Sequence, residues 1–144
     1  MFQSISNSVF KGKVKGLLLK KLDQLKEIGG FDHDPMRVSH ALVDSLWDDM
    51  AARLRSARPR PSVELVVILA LGNGLQRRFN FGRDRKGVLI LFLQEMSSYA
   101  ENAKPNPSDN NIAPIAIGIT KYLKPEIEEV RKEMEELSAD IHNL

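Results

Sequence analysis

The side chains with the most chemistry to offer gather early in the chain: Asp32, His33 and Asp34, then His40, Asp44 and Asp48. On a helix the last three step by four residues and stack along one face, beside Arg37. Imidazole and carboxylate together would suit a borderline divalent metal or an acid–base pair. The same face lies opposite the apolar line through Leu42 and Leu46, so the stronger reading is the solvated side of an amphipathic helix. Asp34 already has a use as a helix N-cap. The third histidine, His142, sits near the end of the chain, and three histidines without convergent spacing make no triad. There is no Gly-x-Ser-x-Gly elbow and no His-Glu-x-x-His pair. Gly72-Asn73-Gly74 follows an apolar run but lacks the Gly-Lys-Ser/Thr ending of a phosphate loop, and reads as a turn or a close helix crossing. The chain has no cysteine, which excludes disulfides, thiolate metal sites and cysteine nucleophiles. No catalytic residue, cofactor-binding residue or metal ligand is therefore assigned, and no cofactor is expected. An enzyme built on Asp34, His40 and Asp44 ranks last among the functional readings.

Basic clustering is the stronger signal. Lys11, Lys13, Lys15, Lys20 and Lys21 precede any acidic residue. Arg53, Arg55, Arg58 and Arg60 form a second cluster. Arg77, Arg78, Arg83, Arg85 and Lys86 form a third, broken by Asp84 and carrying Phe79 and Phe81. Guanidinium groups favour bidentate phosphate contacts, and aromatic rings offer stacking surfaces. If the second and third clusters meet, they form an anion- or nucleic-acid-binding patch. The plainer reading is solvated loop residues around two core phenylalanines.

Two amphipathic segments bear on partners. The first helix is lysine-rich and follows Phe2, Ile5 and Val9, a pattern shared by peripheral membrane helices and by core helices of bundles. The core reading is preferred, and no membrane association is expected. Residues 1–9 read as a separate short turn or a mobile arm. At the other end, Ile127, Val130, Met134, Leu137, Ile141 and Leu144 step by three and four, a heptad seam on an acidic helix. Residues 125–144 are thus a docking or oligomerisation helix, with Ile127, Val130, Met134, Leu137 and Ile141 as candidate interface.

The elements that position these residues follow from periodicity and punctuation. Phe10, Val14, Leu17, Leu18, Leu22, Leu25 and Ile28 share one helical face that ends at Gly29-Gly30. Asp34 and Pro35 open a second helix whose stripe is Val38, Leu42, Leu46, Met50 and Leu54. Pro59 and Pro61 stop it, and Ser62 is the next cap. The runs 63–71 and 88–93 suit strand or helix. The second extends unbroken through Met96, Tyr99, Ala100 and Ala103 on one helical face, which decides for helix, and the first is assigned by analogy. Residues 72–86 then form a long basic connection, helical in part around 75–79. Residues 104–111 read as a loop, and Ile112, Ile115, Ile119 and Tyr122 as a short helix. A last helix starts at about Pro125.

The whole chain of 144 residues fits one domain, 42% apolar and 28% charged. It carries no run of about 20 apolar residues that could span a bilayer, and its N-terminus lacks an export signal. The expectation is an all-α, single compact bundle of five to six helices in the cytoplasm. Its expected role is non-catalytic: a small interaction or regulatory protein, an adaptor or subunit that binds a protein partner or its own copies through the C-terminal helix. An RNA- or DNA-binding protein using the arginine clusters is the alternative. The formal charge of +2 conceals an asymmetry. Residues 1–86 hold 16 basic and 9 acidic groups, and residues 87–144 hold 5 and 10.

Overall fold

A computed structural model describes residues 2–57, 59–102, 104 and 106–142, with side chains from residue 7 onward. The described residues form six α-helices: α1 (Phe2–Glu27), α2 (Pro35–Ser56), α3 (Val63–Gln76), α4 (Arg85–Asn102), α5 (Pro107–Tyr122) and α6 (Lys124–His142). One 3₁₀ turn, Gly82–Asp84, leads into α4. The fold is all-α, and no strand occurs among the described residues.

The apolar run after Ser62 becomes the axis of the bundle. A helix apolar on all sides must be surrounded, and α3 packs against α1, α2, α4 and α5. Residues Leu65 through Gly72, with Gly74 and Leu75, are all buried. The Gly72-Asn73-Gly74 sequence lies inside α3, so the connection expected over 72–86 shortens to the residues after Gln76. The glycines permit close crossings. A Cβ on Gly72 would stand 2.9 Å from Cε2 of Phe92 and 3.1 Å from Ile119, and one on Gly74 would collide with the buried Leu42 side chain.

Around this axis the expected stripes bury as their spacing requires. Val14, Leu18 and Leu22 of α1 and Leu42 and Leu46 of α2 are at most 1% exposed. Ile28 is an exception at 81% exposure, because α1 has ended and Gly29 turns the chain at φ +82°. Residues 2–9 are the first turns of α1 rather than a separate turn. Asp34 caps α2 by accepting the Met36 N–H at 3.1 Å, as its sequence context predicts. Ser62 precedes α3 but makes no side-chain cap bond. The expected loop over 104–111 is mostly helix: Asn106 accepts the Ser108 N–H at 3.0 Å, and α5 starts at Pro107. Pro114 therefore stands inside α5, on its exposed side.

Two buried carboxylates join segments far apart in sequence. Asp84 is 3% exposed and accepts the N–H groups of Asp32 at 2.9 Å and His33 at 3.0 Å, together with Nδ1 of His33. It fastens the α1–α2 loop to the entry of α4. Asp109, also 3% exposed, accepts the Ser62 N–H at 2.9 Å, the Ser62 hydroxyl at 2.8 Å and the Tyr99 hydroxyl at 2.8 Å. It ties the starts of α3 and α5 to the end of α4.

Candidate functional site

The histidine–aspartate group of the sequence does not converge. His40, Asp44 and Asp48 are exposed on α2. Asp44 holds Lys11 at 2.8 Å and Lys15 at 3.0 Å across the α1–α2 boundary. The hydrogen bond from Lys11 is the largest influence that holds its carboxyl below the usual range, against partial burial. His33 instead pairs with Asp84, a residue that sequence reasoning passed over as a break in a basic run. Burial pushes the Asp84 carboxyl up, but His33 and the two backbone N–H groups outweigh it and hold it below its ordinary value. Among the described residues, no three His, Asp or Glu side chains are grouped to hold a metal ion. His142 lies exposed in the last turn of α6.

Arg60 and Arg77 stand at opposite ends of α3, about 20 Å apart along a helix rising about 1.5 Å per residue. Arg53, by contrast, lines a cleft with Asn73 and Gln76, one turn from the Asp49 that holds Arg77. Arg53 and Arg55 are exposed on the last turns of α2, and Arg58 lies outside the described residues. The guanidinium of Arg60 stands 5.3 Å over the Phe10 ring. Arg77 pairs with Asp49. Arg85 grips Glu126 with two bonds, Nε–Oε2 at 2.9 Å and Nη2–Oε1 at 2.7 Å, and also donates to the Leu75 carbonyl. This fork, ahead of desolvation, raises the Arg85 pKa and lowers that of Glu126. Lys86 pairs with Glu133. Arg78 and Arg83 stay exposed, while Phe79 is half-buried and Phe81 buried. Two of the five residues of the third cluster, Arg85 and Lys86, thus seat the acidic helix α6 on the domain.

That seating splits the candidate interface. Ile127 and Val130 are 6% and 7% exposed and belong to the chain's own core. They are not available to a partner. One turn further, Met134, Leu137 and Ile141 are 54%, 62% and 60% exposed. Leu144 lies outside the described residues. The division has a geometric cause: α6 meets α4 and α5 with its first turns and then runs past them.

A cleft of about 520 Å³ opens between α1, α3, α4 and the start of α5. Leu17, Val67 and Ile68 line its apolar side, and Ser62, Tyr99 and Asp109 its polar side. Burial, then the bond to Asp109, pushes the Tyr99 phenol up to about 12. The Ser62 hydroxyl faces a carboxylate and no histidine lines the cleft, so the arrangement lacks the imidazole base of a serine nucleophile. No helix among the described residues is long and apolar enough to cross a membrane. Comparison of the chain with protein-family models, with curated proteins and with solved structures finds no match.

Proposed function

We propose that this is a non-catalytic helical interaction protein, a regulatory subunit or adaptor, whose working surface is the distal half of α6. One observation carries the reading. A single amphipathic seam is anchored at Ile127 and Val130 and left open at Met134, Leu137 and Ile141. Apolar anchors at positions i, i+3 and i+7 are the form in which a helix presents itself to a groove or a second helix. The anchored half fixes the direction of the open half, which lowers the entropy lost on docking. The nucleic-acid alternative has less support, because Arg77, Arg85 and Lys86 each face a carboxylate of this chain.

Removal of residues 125–144 would be an uninformative test, since it strips Ile127 and Val130 from the core. Leu137→Glu alters the open half alone. Tagged full-length chain and Leu137→Glu are used for affinity capture from the native source, with and without nuclease, and bound proteins are identified by mass spectrometry. The expected result is a partner, further copies of the chain included, that survives nuclease and is lost with Leu137→Glu. Retention of the same partners by the variant, or their loss on nuclease treatment, would overturn the reading.

A further inference from the structure

The open end of α6 has a definite chemistry. Residues 133–142 hold no lysine or arginine; Glu133 is taken by Lys86, and Glu135, Glu136 and Asp140 make no ion pair among the described residues. A complementary surface lies at the other end of the chain. Residues 1–22 hold five lysines and no carboxylate. Lys11 and Lys15 are occupied by Asp44, and Lys21 by Glu95. Lys13 and Lys20 are exposed and make no ion pair among the described residues. They share the outward face of α1 with Val9, which is 54% exposed, and with Gly12 and Gly16. A Cβ on either glycine would meet nothing within 4 Å. Glycine inside a helix is destabilising relative to alanine, and no neighbour among the described residues requires it at either place. Together these residues make a shallow lane over residues 9–20, low in the middle, apolar at one end and flanked by Lys13 and Lys20; the exposed Asp23 and Glu27 continue the same face beyond it.

In its own chain α6 packs on α4 and α5, with residues 131–142 exposed throughout. We propose that the acidic, apolar end of α6 docks in the lysine-flanked lane of α1 of a second copy, and that the contact is made twice in a reciprocal dimer. The inference rests on the α6 reading above and names its occupant. Interface area favours the doubled form. Three partly exposed side chains fall well short of the roughly 800 Å² per partner of a stable interface. Reciprocity doubles the contact and closes the assembly about a two-fold axis, whereas a one-sided contact would give a ring or an open filament. Antiparallel pairing of α6 with α6 is disfavoured because Glu133 and Asp140, on one flank of the seam, would face their own copies.

The test is sedimentation velocity over a concentration series of full-length protein and four exposed-site variants, each checked for native helicity. One variant carries Lys13→Glu and Lys20→Glu, one Glu136→Lys and Asp140→Lys, one Leu137→Glu alone, and one Gly16→Leu alone. The full chain is expected to dimerise, more weakly as salt rises. Each charge-reversed variant alone should associate about tenfold more weakly or worse. An equimolar mixture of the two should recover the dimer, because every docked α6 then meets a lane of opposite sign. Leu137→Glu and Gly16→Leu should both be monomeric. A chain that stays monomeric at all concentrations overturns the proposal. A dimer abolished by Leu137→Glu but indifferent to Lys13, Lys20 and Gly16 also overturns it, leaving α6 as a docking helix for another surface. A dimer that survives Leu137→Glu overturns the proposal and counts against the α6 reading as well.

Discussion

Gly87→Ala should destabilise the fold even though it improves helix propensity. Gly87 lies in the first turn of α4, where the α1–α2 loop crosses it. A Cβ there would fall onto the Gly30 carbonyl oxygen and come within 3.3 Å of its carbon. The obstacle is backbone, and that backbone cannot retreat freely, because two residues later the Asp84 carboxylate holds the N–H groups of Asp32 and His33. Replacing a helical glycine by alanine gains about 1 kcal/mol. Overpacking at a fixed contact costs about 1–3 kcal/mol, and each charge-assisted bond lost from Asp84 adds about 1.5–3 kcal/mol. If the loop shifts enough to lose one such bond, the net loss is about 1.5–5 kcal/mol. With an unfolding entropy near 2.1 cal/mol/K per residue, 144 residues give about 0.3 kcal/mol/K, so Tm falls by about 5–17 °C. Gly118→Ala is the control. Gly118 is in α5 with open space around its Cβ position, and its substitution should raise Tm by about 2–3 °C. Thermal unfolding followed by circular dichroism at one protein concentration compares the three proteins. A Gly87→Ala protein as stable as the parent would refute the claim that the loop and α4 meet backbone to backbone.

Other residues carry predictions of their own. Asp84 titrates below its unfolded value, so its contribution is present above about pH 4 and is lost as pH falls through the lower folded value; Asp84→Asn should lower stability at neutral pH and flatten the acid limb of a pH series of urea melts. Tyr99 titrates near 12 against about 10 unfolded, so its contribution is intact below pH 10 and declines between the two. Absorbance titration at high pH should show one phenol ionising near 12 that vanishes in Tyr99→Phe, with a stability loss of about 1–2 kcal/mol at neutral pH. Arg78 holds φ +58° just past the end of α3, a conformation that favours glycine. Arg78→Gly should therefore stabilise the chain by about 0.5–1 kcal/mol in denaturant unfolding.

Helix identity was legible because helix formation is governed by neighbours three and four residues away. Asp34-Pro35 and the prolines at 59 and 61 bracket α2 from local chemistry alone, and the unbroken face from Val88 to Tyr99 decides α4. The same reasoning stopped α3 too early at Gly72, since a glycine that marks a turn and one that admits Phe92 and Ile119 look alike in sequence. It also placed residues 107–111 in a loop, where composition hid the Asn106 cap.

What only tertiary structure decided is which distant residues meet. Asp84 and His33 stand 51 positions apart, and Asp109 and Ser62 stand 47 apart. No periodicity records such pairings, because they depend on how whole helices pack around α3. The seam of α6 shows the same boundary. Its heptad steps and acidic flanks are properties of the chain, readable residue by residue. That Val130 is the last of them to be buried and Met134 the first to be open depends on how α6 leaves the start of α4 and the end of α5.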